Sequence, residues 1–269
     1  MAANQDKILL EVRDLTVEYK SPQQVPAKAL DGVSFQIPAG ESLAVLGESG
    51  SGKSTLALAI LRLLPPHANF VRGTVRFRDQ DLLKMPEPAL ESIRGAQIAV
   101  IFQQPALALN PLMRVRRQVA EVIRAHRRWS WSRCRHEATL VLDQVFENQP
   151  GLYESYPHEL SGGERQRVSI AQALACNPHL VIADEPTASL DAVVQANMLE
   201  LFQRLKRIRA LSFLLITHNA ALVPGLADRV LVLHGGRLIE EGNLLEMYRH
   251  PQDSYTADLL HSALPSLAS

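Results

Sequence analysis

The residues from Gly47 to Ser54 read GESGSGKS and match the pattern G-x-x-x-x-G-K-[ST]. Glycines let successive backbone N–H groups turn inward without a Cβ clash, so such a loop can surround phosphate groups. Lys53 can reach the outer phosphates, and Ser54 can offer its hydroxyl to Mg²⁺. An apolar strand pattern precedes the loop and a helical pattern follows it, and a helix would add its positive N-terminal end. The pattern therefore predicts a site for the phosphates of a nucleotide.

A second chemical group follows an apolar segment that ends in Asp184 and Glu185. In this position Asp184 would hold Mg²⁺ through a water molecule, and Glu185 would orient and polarise an attacking water. Taken alone, both could be ordinary acids at the end of a strand, where Asp and Glu are common. The presence of a phosphate loop in the same chain favours the metal and water roles.

Three further side chains could serve the same site, and each also has an ordinary reading. Gln103 follows an apolar segment and could lie beside the metal, or it could be a loop amide. His218 follows the segment LLIT and could sense a phosphate, although a lone His after a strand is more often structural. Tyr19 could stack on a nucleotide base or simply pack in the core.

The elements that must position these residues alternate between strand and helix patterns. Short apolar or alternating segments predict strands at Leu9–Tyr19, Val33–Ile37, Ser42–Leu46, Gly73–Phe77, Ile98–Phe102, Leu180–Ala183, Ser212–Thr217, Arg229–Leu233 and Arg237–Glu240. Helices are expected at Ser54–Leu64, Leu112–Arg128, Ser132–Val145, Gly162–Ala175 and Ala192–Arg209. The residues 21–27 contain two prolines and predict a loop, and His234-Gly235-Gly236 predicts a hairpin turn. The strand signal disappears between Pro105 and Asn177, which indicates an all-helical insert in an α/β core.

Composition narrows the class of protein. The formal net charge is zero, so nothing global indicates a nucleic-acid partner. Cys134 and Cys176 stand far apart, which favours free thiols in a reducing compartment. The N-terminus lacks a signal-peptide pattern and no segment is long and apolar enough to cross a bilayer, so we expect the chain not to enter the membrane by itself. Eight arginines between residues 114 and 135 indicate either a solvated helical face or a contact surface for a protein or headgroups.

One segment is more specific than the phosphate loop, because Leu160-Ser161-Gly162-Gly163-Glu164 does not occur in nucleotide hydrolases generally. With the other motifs, in order from Leu9 to about Asn243, it resembles the ATP-binding cassette (ABC) subunits of membrane transporters. The resemblance implies a RecA-like P-loop NTPase fold, an α/β core with an N-terminal antiparallel β subdomain and an all-helical insert. The implied domains are a core at 1–103 and 178–242, a helical signature subdomain at 104–177 and a tail at 243–269.

The resemblance also implies ATP and Mg²⁺ as cofactors and gives each motif residue a role. The residues expected to contact nucleotide are Tyr19, Gly47, Glu48, Ser49, Gly50, Ser51, Gly52, Lys53, Ser54, Thr55, Ser161, Gly162, Gly163 and Asp191, the last within the segment Ser189-Leu190-Asp191. The expected catalytic residues are Glu185, His218 and Gln103, and the expected metal ligands are Ser54, Gln103 and Asp184. Two positions depart from the family pattern: Glu164 stands where Gln is common, and Asn219 stands where Asp is usual. Neither removes a group that the mechanism requires.

Segments such as YPHELSGGERQRV, VIADEPTASLDAVVQANML and the tail from His250 to Leu260 resemble the peptide and nickel importer ATPases. That branch implies an importer of di- or oligopeptides, nickel or a metal–metallophore complex, at the cytoplasmic face of the cell membrane as a peripheral subunit. The expected partners are a second, related ABC ATPase, two transmembrane permease subunits and an external solute-binding protein. The alternative is a non-transport ABC ATPase of a soluble complex, such as an accessory protein of phosphonate carbon–phosphorus lyase.

Overall fold

A computed structural model of the chain describes residues 8–21, 24–104, 108–188 and 190–263. The chain divides into two compact units. The phosphate-loop unit comprises residues 1–87 and 212–269, and the helical unit comprises residues 88–211. The boundaries predicted for the helical signature subdomain at 104–177 and for the tail at 243–269 stay predictions.

An antiparallel sheet forms the N-terminal part of the phosphate-loop unit, as predicted. Its strands, in spatial order, are β2 (Gln24–Pro38), β1 (Ile8–Ser21), β4 (Ala68–Phe77) and β5 (Gln80–Asp81). The strands are rich in β-branched and aromatic residues, and Leu10, Val12 and Phe77 are almost completely buried. This sheet therefore buries part of the hydrophobic core of the phosphate-loop unit.

The loop predicted for residues 21–27 is wrong at residue 21 and at residues 24–27, because both strands continue into this segment. Ser21 is paired with Gln24 and Tyr19 with Ala27, whereas Pro22 and Gln23 lie outside the described residues. The two prolines suggested a loop because proline lacks a backbone N–H. However, β2 is the edge strand of its sheet, where an absent N–H costs no ladder hydrogen bond on the open side.

The second sheet of the phosphate-loop unit is built around β3 (Leu43–Leu46), which is completely buried. It pairs in parallel with β8 (Ser212–Thr217) on one side and β9 (Arg229–His234) on the other. The strand β10 (Arg237–Gly242) runs antiparallel to β9. The predicted hairpin turn is confirmed: Gly235 and Gly236 have φ of 53° and 78°, the positive values that a two-residue turn requires.

The described part of this unit also contains three α-helices. Helix α1 (Lys53–Ile60) ends earlier than the predicted Leu64, because Arg62 adopts a left-handed backbone conformation with φ of 52°. The sequence patterns did not predict the two helices near the C-terminus, α7 (Leu244–Arg249) and α8 (Ser254–Ala263). No helix within the described ranges combines the length and apolar character that crossing a bilayer requires.

In the helical unit, β6 (Ile98–Ile101) and β7 (Leu180–Asp184) pair in parallel. A short helix, α2 (Glu87–Glu91), precedes β6 in the chain. The described residues between 108 and 177 contain helices and turns, as predicted from the missing strand signal. The main helices of the unit are α3 (Val115–His126), α4 (Trp131–Phe146), α5 (Gly162–Leu174) and α6 (Ala192–Arg209).

Helix α3 begins three residues later than predicted. The Asn110 side chain accepts a hydrogen bond from the Leu112 N–H at 3.0 Å, which folds this segment into a turn. Gln118 anchors the turn, since its side chain accepts from the Asn110 N–H at 3.0 Å and donates to the Asn110 carbonyl at 2.9 Å. The apolar periodicity that suggested a helix from Leu112 therefore includes a turn that is fixed by side chains.

Candidate functional site

The predicted phosphate loop connects the end of β3 to the beginning of α1. Gly52 occupies the N-cap position with φ of 106°, and no side chain caps the first turn of the helix. The N–H groups at a helix start have no partners within the helix and carry a partial positive charge. This geometry suits a loop that binds phosphate through its backbone.

Two glycines of this loop are required by the close approach of neighbouring backbone. A Cβ on Gly47 would lie 2.2 Å from the Leu233 carbonyl oxygen, and a Cβ on Gly52 would lie 2.3 Å from that of Ala29. Real Cβ atoms do not come so close to backbone oxygens. The strands before and beside the loop therefore dictate glycine at both positions and hold the loop in a fixed path.

Lys53 lies inside this loop, with only 6% of its surface exposed. Its ammonium group donates to the carbonyl oxygens of Gly47 and Glu48, at 2.7 Å each. The Ser51 hydroxyl is also buried, and it has no hydrogen-bond partner among the described residues. A buried cation and an unsatisfied hydroxyl within one glycine-lined loop fit the charge and the acceptor oxygens of a polyphosphate.

His218 and Tyr19 both lie in the phosphate-loop unit. Leu46 of β3 is opposite Thr217 of β8, so Gly47 and His218 leave neighbouring parallel strands at the same edge of the sheet. The Tyr19 hydroxyl is 3.3 Å from the Thr55 hydroxyl in the first turn of α1. Tyr19 is half-buried, and its ring centroid is 5.4 Å from that of His67. These contacts place Tyr19 next to the loop with part of its surface exposed.

Gln103, Asp184 and Glu185 lie together in the helical unit. In the parallel pair, Ile101 of β6 is opposite Ala183 of β7, so the three residues follow at one sheet edge. The predicted strand Ile98–Phe102 ends one residue early, and Gln103 is exposed in the loop that follows. Glu185 has φ of 47°, a left-handed conformation that is uncommon outside glycine and often marks functional sites.

The segment around Ser161 forms the N-terminus of α5. The Ser161 side chain accepts from the Glu164 N–H at 3.3 Å, and the Glu164 carboxylate accepts from the Ser161 N–H at 2.7 Å. This reciprocal pair is a capping box, in which Glu and Gln are both suitable at the third helical position. Glu164 therefore has a structural role that explains why the departure from Gln is compatible with the same helix start.

Asp191 and Asn219 also cap helices. The Asp191 side chain accepts from the Val194 N–H at 3.0 Å at the start of α6. The Asn219 side chain accepts from the Ala221 N–H at 3.0 Å, which caps the short 3-10 helix Ala220–Leu222. Asn and Asp are comparably good at such positions, so the second departure from the family pattern preserves this local structure. Ser189 lies outside the described residues.

The residues from 30 to 188 match the family model described as "ABC transporter". The chain belongs to the ABC transporter family. It is 42% identical to the oligopeptide transport ATP-binding protein OppD of Bacillus subtilis, across 97% of this chain and 73% of that protein. It is 41% identical to OppD of Escherichia coli, across 99% of this chain and 79% of that protein. It also matches the peptidoglycan transport ATP-binding protein YejF of Agrobacterium fabrum at 45% identity, across 94% of this chain but 46% of that protein.

Solved ABC structures have the same fold. A dimeric ATP-binding cassette, MJ0796, in a post-hydrolysis state bound to ADP and Pi superimposes with a TM-score of 0.77 and 28% identity, covering 87% of this chain and 98% of that one. The cassette cbiO1 of Clostridium perfringens gives a TM-score of 0.78 at 26% identity, covering 97% of this chain and 98% of that one. The predicted P-loop NTPase fold and the resemblance to the peptide-importer branch are confirmed, and the chain is an ATP-binding ATPase subunit.

Two contacts of the phosphate loop had no signal in the sequence. The Gly236 N–H of the β9–β10 turn donates to the Ser51 carbonyl at 3.0 Å. The Glu48 N–H donates to the Tyr255 hydroxyl at 2.9 Å, across 207 residues of sequence. Neither partner belongs to a phosphate-binding pattern, so only the folded chain reveals that the turn and α8 support the loop.

We expect Gly52→Ala to weaken ATP binding about tenfold or more, since backbone strain of about 1.4 kcal/mol is enough for that loss. The physical cause is the 2.3 Å approach of the new Cβ to the Ala29 oxygen, which would displace the loop. Isothermal titration with ATP measures the affinity. Gly40→Ala is the matched control, because Gly40 has a similarly positive φ of 85° but no atom within 4 Å of the Cβ position. An unchanged affinity in Gly52→Ala would contradict the prediction.

Proposed function

We propose that this chain is the ATP-hydrolysing subunit of an importer for di- or oligopeptides. The observation that carries the proposal is the match over 97% and 99% of the chain to two oligopeptide transport ATP-binding proteins. Uptake of nickel or a metal–metallophore complex, and service to a soluble phosphonate-cleaving complex, have no comparable support. We place the chain as a peripheral subunit at the cytoplasmic face of the cell membrane.

The nucleotide is held by the loop Gly47–Thr55 in this proposal. Its backbone N–H groups surround the phosphates, and Lys53 moves its hydrogen bonds from the loop carbonyls to the outer phosphates. The glycine contacts, the buried ammonium and the unsatisfied Ser51 hydroxyl support this assignment. Tyr19 is the residue that stacks on adenine, which its part-exposed ring beside Thr55 supports.

Mg²⁺ would be held by Ser54, Gln103 and Asp184 together with phosphate oxygens. The three side chains offer hydroxyl, amide and carboxylate oxygens, the donors that Mg²⁺ prefers, and the bound ion would neutralise charge on the phosphates. Glu185 is proposed to orient and polarise the attacking water, and His218 to contact the terminal phosphate. The common sheet edge of Gln103, Asp184 and Glu185 supports this division of roles.

A second ABC subunit completes the site in this proposal, and we expect a related but different chain. Ser161, Gly162 and Gly163 would present the N-terminus of α5 to the ATP of that partner, with Asp191 close by. The two glycines differ in a way that supports the assignment. A Cβ on Gly163 would lie 2.7 Å from Val194 Cγ1, whereas one on Gly162 would meet nothing closer than 3.9 Å. Packing within the chain thus explains glycine at 163 but not at 162.

The permease subunits are proposed to dock on a groove of the helical unit with a volume of about 540 Å³. Leu112 and Trp131 line it and are 85% and 42% exposed, so two large exposed apolar side chains share one groove. Four arginines line it too, with Glu154 paired to two of them, so the charge is mixed with an excess of cations: Arg114, Arg116, Arg117 and Arg135. The groove favours a cytoplasmic helix of the permease that carries an apolar anchor and carboxylates. An external solute-binding protein would deliver the peptide to the permeases.

Glu185→Gln should abolish hydrolysis, with a loss of about a hundredfold or more, because an amide cannot polarise the water as a carboxylate does. ATP binding should be retained, and the paired cassettes should stay closed on ATP. Phosphate release by the assembled transporter and uptake of a labelled tripeptide measure the two consequences. Wild-type hydrolysis in this variant would rule out Glu185 as the base. Wild-type cells that take up labelled nickel but no peptide would refute the proposed substrate.

A pair of glycine variants tests the composite site. Gly162→Ala should leave thermal stability unchanged but weaken ATP-dependent pairing of the cassettes about tenfold, equivalent to about 1.4 kcal/mol. Gly163→Ala should instead lower the free energy of unfolding by about 1–3 kcal/mol, because Val194 must move. Analytical ultracentrifugation and urea unfolding separate the two effects. Normal pairing by Gly162→Ala would contradict the assignment of its N–H to the partner's nucleotide.

Leu112→Asp should prevent docking of the permease while nucleotide binding is retained, because a charge replaces an apolar anchor in the groove. Burial of a leucine side chain is worth about 1.5–3 kcal/mol, so co-purification with the permeases should fall about tenfold or more. Ile208→Asp is the matched control, because Ile208 is also exposed, at 62%, but does not line the groove. Equal recovery of permeases with both variants would exclude this groove as the docking surface.

A further inference from the structure

The C-terminal segment from Asn243 to Ala263 packs within the phosphate-loop unit and contacts the phosphate loop itself. Tyr255, in the first turn of α8, accepts a hydrogen bond from the Glu48 N–H at 2.9 Å. The tail was recognised in the sequence as an element of the peptide-importer branch, but none of the roles assigned above uses it. The contact between Tyr255 and the phosphate loop indicates a role for the tail in nucleotide binding.

Tyr255 is held firmly in this position. Its own N–H donates to the Asp253 carboxylate at 2.8 Å, and its ring centroid is 4.0 Å from that of His234 at the end of β9. The Glu240 carboxylate on β10 accepts from the Gln252 and Asp253 N–H groups, which fixes the start of α8 to the sheet. The hydroxyl is therefore presented by a helix whose start is fixed to the sheet from which the phosphate loop leaves.

Glu48 makes a second hydrogen bond through its carbonyl group. Its carbonyl oxygen accepts from the Lys53 ammonium at 2.7 Å, while its N–H is held by Tyr255. The two peptide groups that flank the Glu48 Cα thus connect α8 to the buried cation of the loop. A shift of Tyr255 would therefore reach Lys53 through a single residue, Glu48.

We propose that Tyr255 is a positioning residue for nucleotide binding, which holds the first turn of the phosphate loop in the conformation that carries Lys53. This proposal rests on the proposed function, in which Lys53 binds the outer phosphates. Tyr255 does not touch the nucleotide and acts through Glu48. Burial raises the pKa of the Tyr255 hydroxyl, so at physiological pH the Glu48 N–H donates to a neutral hydroxyl.

Without this hydroxyl, the loop should sample more conformations before ATP binds. The loop then has to become ordered when ATP binds. This cost weakens the binding of ATP and the binding of the transition state for hydrolysis equally. Tyr255→Phe should therefore raise the Kd and the KM for ATP about three- to tenfold, the range expected for one hydrogen bond. The kcat at saturating ATP should stay within about twofold of wild type.

The test uses the full-length chain titrated with ATP in the presence of Mg²⁺, together with hydrogen exchange of the peptide that contains Glu48. Tyr248→Phe is the matched control, because Tyr248 lies in the same tail and its ring contacts His261 rather than the loop. We expect weaker ATP binding and faster exchange at Glu48 in Tyr255→Phe, and neither change in Tyr248→Phe. The steady-state constants are measured on the assembled transporter.

Two results would overturn the inference while leaving the proposed function intact. One is an unchanged Kd in Tyr255→Phe when the wild-type chain binds ATP. The other is an equal rise in both tyrosine variants, which would reflect general loosening of the tail. A wild-type chain that fails to bind ATP would instead refute the proposed function, and the inference with it.

Discussion

The phosphate loop is confined by backbone on both sides, and the arrangement of the phosphate-loop unit depends on this constraint. Leu233 of β9 blocks any side chain at Gly47, and Ala29 of β2 blocks any side chain at Gly52. The loop can follow this path only because β3 lies between β8 and β9, which fixes where it leaves the sheet. Both sheets of the unit thus set the position of the residues that would meet the phosphates.

The same confinement explains how a buried lysine is tolerated. An ammonium group in the interior needs hydrogen bonds to offset the loss of water. The carbonyls of Gly47 and Glu48 supply them, and both point inward because the loop is so tightly turned. A loop shape set by sterics therefore provides the electrostatic environment of Lys53, and a phosphate could replace the carbonyls as a stronger acceptor.

Local patterns in the sequence predicted much of the fold, because most elements are defined by short-range signals. The strand Ser212–Thr217 and the helix Ala192–Arg209 were predicted with the bounds that the structure has. Errors arose where a side chain or a tertiary contact overrides the pattern. Asn110 and Gln118 replace the first turn of α3, and edge pairing extends a strand through Pro26.

The candidate site shows the same division between local and long-range information. The phosphate loop, Asp184 and Glu185 could be recognised because their spacing along the chain reflects the chemistry directly. The supporting contacts from Gly236 and Tyr255 could not, because they depend on the fold bringing distant residues to the loop. A glycine in a turn or a tyrosine in a helix does not by itself indicate that the residue supports a phosphate loop.

The glycines of the two motifs distinguish what the chain needs for itself from what it needs for something else. Gly47, Gly52 and Gly163 are explained by atoms of the same chain, and Gly50 by its left-handed backbone, with φ of 82°. Gly162 has neither explanation, because a Cβ there would meet no atom closer than 3.9 Å. A residue that folding alone would not select points to a requirement outside the folded chain. In the proposed composite site, close approach of a partner's phosphate to the backbone at this helix N-terminus is such a requirement.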